Sequence, residues 1–465
     1  MAKKLKLRGK DLKALGYPEG RAIGMAINMM TQHYKRVDKA AVLEILEKVL
    51  KTPDTYAEDE VLGRIAKELK GAEPKFENQL REQPAGYRIW GQSGIADNAV
   101  EQMNVAMTLP IAKAGALMPD AHYGYGLPIG GVLATENAII PYGVGMDIGC
   151  RMCLSIYSID AGRLKTDRSQ FKDMLLDNTR FGFDTFDRPM DDEVLHRDEF
   201  KTITKVKQLK QKARAQIGSS GSGNHFVEFG VVHLTDEKNE FGLPIGHYVG
   251  VLSHSGSRGF GANIAQHYTK LAKEKCLLPK HAQHLAWLDL DTEEGMEYWL
   301  AMNLAGDYAS ACHHHIHKRI AKALGEQPLA TVENHHNFAW KEQLADGTEV
   351  IVHRKGATPA GKGVLGIIPG SMTAPGFIVR GTGNYDALQS ASHGAGRQMS
   401  RRKATQSTTR SELKKTLKKE GVELIGGGLD ESPIAYKDIH QVMKNQSDLV
   451  DVVGTFLPKI VRMDS

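Results

Sequence analysis

At 465 residues, with 41% apolar and 25% charged side chains, the chain can bury a large core in one or two domains. Its net charge of +5 is mildly basic, which permits a nucleic-acid partner without requiring one. Four irregularly spaced cysteines argue against a disulfide framework and for a reducing, cytoplasmic setting, and no apolar run is long enough to span a membrane. The opening Met1-Ala2-Lys3-Lys4-Leu5-Lys6 lacks the apolar stretch of a secretory leader.

The first 85 or so residues read as a helical, charged N-terminal extension. Apolar side chains recur at helical spacing through 42–50 and again through 61–69. From about Tyr87, glycine becomes frequent and short apolar runs alternate with turn residues. Residues 86–465 are therefore expected to form a single large domain of α+β class. Helices are expected at 260–275, 295–324, 393–419 and 439–453. Arg401, Arg402, Lys403, Lys414, Lys415, Lys418 and Lys419 give the third a basic face, read as solvated rather than as an RNA track. No internal repeat or low-complexity tract is present.

Several separated polar clusters carry chemistry. In Gly145-Met146-Asp147-Ile148-Gly149-Cys150, a carboxylate and a thiolate three residues apart can close on one cation. Oxygen with sulfur suits Zn²⁺, Mn²⁺ or Fe²⁺ better than Ca²⁺. Cys150 and Cys153 also form a Cys-x-x-Cys, but no second pair or redox-fold context accompanies it, and Cys153 is expected in a core strand. His225 in Gly221-Ser222-Gly223-Asn224-His225-Phe226-Val227-Glu228, His254 in Ser253-His254-Ser255-Gly256-Ser257-Arg258-Gly259, and His336 in Glu333-Asn334-His335-His336-Asn337 each sit where a strand meets a turn. Together with Asp147 and Cys150 they make a transition-metal site.

The histidine run Cys312-His313-His314-His315-Ile316-His317 places His313 and His317 four apart on an expected helix. It lacks the glutamate of a zinc-peptidase helix and ends in Lys318-Arg319, so it is read as a polar helix face. His353-Arg354-Lys355-Gly356-Ala357-Thr358 and Pro369-Gly370-Ser371-Met372 look like anion cradles. A P-loop is rejected for 356–363: Gly363 stands where a magnesium-binding hydroxyl is needed, and 364–368 reads as strand. His393 precedes Gly394-Ala395-Gly396-Arg397, a turn that lets backbone approach a ligand, followed by a fork-shaped donor for phosphate. A histidine so placed can act as a covalent nucleophile.

These clusters, in this order and together with Met118-Pro119-Asp120-Ala121-His122-Tyr123-Gly124-Tyr125-Gly126-Leu127-Pro128, resemble the RtcB family of RNA ligases from about Met118 onward. The resemblance implies a metal-lined cleft and a GTP-dependent reaction. A histidine at the His393 position takes GMP from GTP and passes it to an RNA 3′-phosphate. A 5′-hydroxyl then displaces GMP, and a 2′,3′-cyclic phosphate is first opened. By matched position, Asp147, Cys150, His225, His254 and His336 would hold two Mn²⁺ ions. Asn224, Ser371, Gly394, Ala395, Gly396, Arg397, Tyr436 and Arg462 would surround GTP or GMP. Asp120, Arg258, Asn337, Lys355 and Glu228 would contact phosphate or RNA, or support those that do.

The chain departs from the family pattern in places. Pro359 stands where the family usually has arginine after the Lys-Gly-Ala-Thr run. Arg462 is the nearest equivalent of a terminal guanine-contacting lysine, and the two cations are not interchangeable. The segment around Cys312–His315 differs, and residues before about Asn98 match no family motif. The expected function is an RNA ligase acting in tRNA splicing or RNA repair. Two other enzymatic readings stay open: a capping enzyme that leaves GMP on 3′-phosphate ends and seals poorly, and a dinuclear metal phosphoesterase in which His393 only binds phosphate. A non-enzymatic RNA-binding module would need none of the metal ligands. The resemblance also allows an archease-type helper as a partner.

Overall fold

The computed structural model describes residues 5, 7–18, 21–70, 78–188 and 190–464. The chain divides into two compact units, Met1–Glu77 and Asn78–Ser465. In the first, helices Gly9–Leu15, Arg21–His33, Lys39–Lys51 and Gly63–Leu69 enclose their own core. Val42, Leu46 and Val49, spaced along one face of the third helix, are fully buried with Leu12, Met30 and Ile65. Asp38 caps that helix by accepting from the Ala40 N–H at 2.9 Å.

The second unit is α+β. Its principal strands are β1 (Ala112–His122), β2 (Ile129–Thr135), β3 (Arg151–Tyr157), β4 (Phe226–Leu234), β5 (Gly246–Ser255), β6 (Ala330–His335), β7 (Phe338–Gln343), β8 (Glu349–Lys355), β9 (Leu365–Ile368), β10 (Gly376–Gly381) and β11 (Val450–Met463). One sheet runs β1-β2-β8-β7, with the short strand Arg88–Ile89 parallel to β1 at its edge. The other runs β9-β10-β11-β4-β5-β3-β6. Every residue of β3 is buried, because both faces are covered, and Cys153 is fully enclosed there as expected. Helix Asp97–Met107 lays Ala99, Met103 and Ala106 into the core over β1 and β2. The long helix Glu293–Leu324 starts at Thr292, whose hydroxyl accepts from the Gly295 N–H, and stops at left-handed Gly325.

Two expected helices are wrong as drawn. Residues 393–419 are not one helix. Ser390–Ser392 is a short strand, a turn follows through His393 to Met399, and helices Arg401–Ser407 and Arg410–Glu420 come after it. The reason is Gly396. It sits at φ 73°, and a β-carbon there would lie 2.1 Å from the Asp120 carbonyl oxygen. Ser400 and Thr409 then cap the two helices separately. Likewise 439–453 is a helix only over Ile439–Lys444; the β-branched run beyond it enters β11. Among the described residues no helix is long and apolar enough to cross a membrane.

Candidate active site

His393 stands at the exit of the short strand Ser390–Ser392, facing the end of β1. The Asp120 Oδ2 atom accepts from His393 Nδ1–H at 2.7 Å and from the His393 backbone N–H at 3.2 Å. A carboxylate can only accept, so the ring proton sits on Nδ1 and the lone pair on Nε2. Asp120 is fully buried, and among the described residues its Oδ1 has no hydrogen-bond partner. Its carbonyl holds His122 Nδ1 at 3.0 Å, and burial pushes that imidazole down to about 4.

Beside His393 the strand ends deliver a cluster of soft and imidazole donors. Cys150 Sγ lies 3.3 Å from His225 Nε2 and 3.2 Å from His254 Nε2, which in turn is 3.3 Å from His336 Nε2. Asp147 Oδ2 is 2.9 Å from His225 Nε2. The ligand atoms of Cys150, His225 and His254 all lie within 4.8 Å of one another. His254 donates its Nδ1–H to the Asn224 carbonyl at 3.0 Å, which turns the Nε2 lone pair inward. Burial pushes His254 down to about 3. It also drives His336 well below the ordinary histidine range, assisted by neighbouring imidazoles. Both rings are thus neutral and able to ligate. Burial and then Asp147 push the Cys150 thiol up, a proton that a bound cation would displace. Burial alone would raise Asp147, but hydrogen bonding and charge from His225 bring it below its usual value. Asp147 reaches the cluster because residue 256 is glycine: a β-carbon there would lie 2.0 Å from Asp147 Oδ1. The donor set of one thiol, one carboxylate and three imidazoles fits a transition metal.

Two cavities meet at His393 and Asn224. The first, of about 340 Å³, is walled by Asp147, Cys150, His225, His336, Asn337, Lys355 and the rings of Tyr125 and Tyr142. Lys355 Nζ donates to the carbonyls of Tyr125 and Tyr142, and burial pushes it down to about 7. Asn337 accepts from the Gly356 N–H at 2.8 Å. The second, of about 300 Å³, is bounded by Asn224, Pro369, Gly370, Gly394, Ala395, Gly396, Arg397 and Tyr436. It adjoins a smaller recess lined by Glu228, Ser371, Val461 and Met463. Burial pushes the Glu228 carboxyl well up, leaving a neutral acid in that recess.

Residues 101–464 match the family described as tRNA-splicing ligase RtcB. The chain belongs to the RtcB family. It is 33% identical over 411 residues to the RNA-splicing ligase RtcB of Escherichia coli, covering 81% of this chain and 97% of that one. It is 30% identical over 467 residues to the tRNA-splicing ligase RtcB of Thermococcus kodakarensis, covering 83% and 95%. The tRNA-splicing ligase RtcB of Nanoarchaeum equitans is 31% identical over 433 residues, covering 78% and 90%.

Against the RtcB-like pattern, the structure separates two arginines from the cleft. Arg462 alternates to the opposite face of β11 from Val461 and Met463. It donates to the Leu175 carbonyl at 2.5 Å and stacks over Phe181, so it does not border the recess. Arg258, at left-handed φ 56°, gives its guanidinium to Ser219 Oγ and the Gly182 carbonyl. Arg397 borders the second cavity, but its fork is engaged by the carbonyls of Met399 and Asp430 and by Glu431.

Other functional-looking groups escaped the sequence. Glu431, 2% exposed, gathers Arg397, Arg401 and the Tyr436 hydroxyl around one carboxylate. The run His313–His317, expected as a polar helix face, is mostly enclosed: three of its four histidines are buried. His313 Nε2 lies 3.0 Å from the Ser255 carbonyl, so it must donate there. Its Nδ1 then accepts from Ser253 Oγ–H at 2.6 Å, Ser253 accepts from His317 Nε2–H at 2.8 Å, and His317 Nδ1 accepts from Ser155 at 2.8 Å. This one-way relay grips β5 on either side of His254. Burial pushes His317 down to about 4 and His313 well below its usual range.

Proposed function

We propose that this protein is a GTP-dependent RNA ligase that joins 3′-phosphate or 2′,3′-cyclic phosphate ends to 5′-hydroxyl ends through a GMP adduct on His393. The observation that carries the reading is the His393 ring: Nδ1–H is tied to Asp120, and Nε2 is free where the metal cavity meets the second cavity. In the first step Nε2 attacks the α-phosphorus of GTP, forming an N–P bond and expelling pyrophosphate. Asp120 holds the tautomer and offsets the positive charge that grows on the ring. Next an oxygen of the RNA 3′-phosphate takes the GMP, and the N–P bond breaks. Finally the 5′-hydroxyl oxygen attacks the 3′-phosphorus, sealing the strand and releasing GMP. A cyclic phosphate is first hydrolysed to the 3′-phosphate.

Asp147, Cys150, His225, His254 and His336 would hold two Mn²⁺ ions, which supply Lewis-acid neutralisation of phosphate charge when bound. Asn224 and Lys355 face the same space and suit phosphate oxygens. Ser371, Tyr436, Glu228 and the turn formed by Gly394, Ala395 and Gly396 suit the guanylate. In this reading Asn337 supports the loop at Gly356, while Arg258, Arg397 and Arg462 serve as framework. Catalysis belongs to the second unit, and the N-terminal helices lie outside the family match. The four free cysteines accord with a cytoplasmic setting.

The test is incubation with GTP and Mn²⁺, followed by intact-mass measurement of wild type and His393→Ala. The expected result is an acid-labile GMP adduct in wild type alone. Equal adduct in both proteins overturns the assignment. A wild-type adduct whose GMP reaches RNA ends that never seal would identify the capping reading. Sealing without added helper would remove any need for an archease-type partner.

A further inference from the structure

Three of the chain's large exposed apolar side chains, Tyr123 (58% exposed), Tyr125 (65%) and Met146, border the cavity that holds the metal-type donors. Isolated exposed aromatics are ordinary, but several at the rim of one cavity mark a binding surface. The rings are organised. Tyr125 and Tyr142 lie with centroids 6.1 Å apart and planes inclined by 29°. His284 packs against Tyr142 at 5.1 Å and meets Tyr125 edge-on at 6.1 Å. Two cations flank the group: Lys355 Nζ is 5.0 Å and Lys273 Nζ 5.9 Å from the Tyr142 centroid.

The platform is held by its backbone while its ring is left free. The Gln102 side chain pairs with both the N–H and the carbonyl of Gly124, at 2.9 and 2.7 Å. Lys355 donates to the carbonyls of Tyr125 and Tyr142, fixing the two tyrosines to each other. Lys273 donates to His284 Nδ1 at 3.0 Å. No described hydrogen bond engages the Tyr125 hydroxyl, so nothing holds that ring against its neighbours except stacking. A rigid backbone presenting an exposed aromatic face beside cations is what a flat, anionic, single-stranded ligand requires.

We propose that Tyr125, with Tyr142 and His284 behind it, is a stacking platform for the terminal nucleobase of an RNA strand whose end phosphate or hydroxyl lies among Asp147, Cys150, His225 and His336. This rests on the RNA-ligase reading above and adds a base-binding subsite to it. Stacking uses the π-face common to all bases, so the platform tolerates sequence, as a ligase joining varied ends needs. It takes the base of either the 3′-phosphate strand or the 5′-hydroxyl strand.

Two arms tell the ends apart. Full-length protein with Mn²⁺ is given RNA strands carrying 2-aminopurine either at the 3′-phosphate terminus or at the 5′-hydroxyl terminus. Quenching is read on binding, and KM and kcat for sealing are measured with each strand varied. The strand whose base stacks is quenched by wild type. In Tyr125→Ala that quench is lost and the KM for that strand rises about tenfold or more. Tyr125→Phe and Tyr125→Trp restore both, and GTP-dependent adduct formation on His393 is unchanged throughout. An unchanged quench and KM for both strands in Tyr125→Ala, with the adduct intact, overturns the platform alone. Failure of Tyr125→Phe to rescue also overturns it, because the hydroxyl rather than the ring would be at work. Absence of the adduct in wild type would instead overturn the ligase reading beneath it.

Discussion

Replacing Asp120 by asparagine isolates what the carboxylate does for His393. The substitution keeps the shape of a fully buried side chain. Its orientation is decided by the His393 backbone N–H, which donates to the same oxygen as the ring. The amide oxygen must take that position, because turning the NH₂ toward two donors would leave both unmet. The amide nitrogen then occupies the Oδ1 position, which among the described residues has no hydrogen-bond partner. The Nδ1–H tautomer therefore survives and only the negative charge is lost. A charge-assisted hydrogen bond contributes about 1.5–3 kcal/mol against about 1 kcal/mol for a neutral one. The difference corresponds to a roughly tenfold loss of guanylylation rate, at about 1.4 kcal/mol per decade. Asp120→Ala leaves the buried ring N–H without an acceptor and frees the tautomer, so its loss is roughly a hundredfold or more. The assay is a single-turnover quench with labelled GTP and saturating Mn²⁺, alongside thermal melts to confirm the fold. An Asp120→Asn protein that forms the adduct at the wild-type rate would refute the role given to the carboxylate.

Three further outcomes are expected. Cys150→Ala loses bound metal, measured by elemental mass spectrometry, and wild type works with Mn²⁺ but poorly with Mg²⁺, because a thiolate disfavours a hard cation; full Mg²⁺ activity in the variant would make Cys150 a packing residue. The buried relay gives acid sensitivity. His317 titrates near 4 when folded against an ordinary 6.5, so its stabilisation is present above pH 6.5 and lost as pH falls toward 4. That is about 2 kcal/mol by pH 5. Denaturant midpoints at pH 7.5 and 5 should show the drop, and His317→Gln should shrink it; an equal drop in both proteins contradicts the relay. Arg462→Ala leaves GMP adduct yield unchanged and lowers the melting temperature slightly, through the lost contacts with Leu175 and Phe181; an adduct reduced tenfold would return Arg462 to the guanylate.

The donors at the site were legible because each carries its signal locally. Cys150, His225, His254 and His336 sit at strand ends marked by neighbouring turn residues, and His393 is announced by the glycines after it. The relay was not legible: Ser155 and Ser253 lie 162 and 64 positions from the His317 they meet, and the Lys318-Arg319 beside it reads as solvent-facing. The glycines after His393 mark a turn, but the late start of the following helix at Arg401 was not legible, for a similar reason. The local sequence tolerates helix, and what forbids it is the carbonyl of Asp120, which only the tertiary fold brings against Gly396. Arg462 was assigned by its place near the chain end, and identity at a sequence position says nothing about which face of a strand a side chain takes.

The position of β11 in its sheet has a consequence for how the protein comes into being. Among the described residues, β9 and β10 on one side, and β4, β5, β3 and β6 on the other, join in one backbone ladder through this strand, with the Asn334 side chain of β6 adding two hydrogen bonds to Ile367 of β9. Its residues Val461 and Met463 also wall the recess beside Ser371. During vectorial synthesis the two half-sheets wait with open edges until residues 450–463 leave the ribosome, and the recess acquires that wall in the same event. A message cut short between residues 394 and 449 yields a chain that carries every metal-type ligand and His393 yet cannot close its sheet. Such fragments are exposed-edge substrates for proteases and chaperones rather than partly working enzymes.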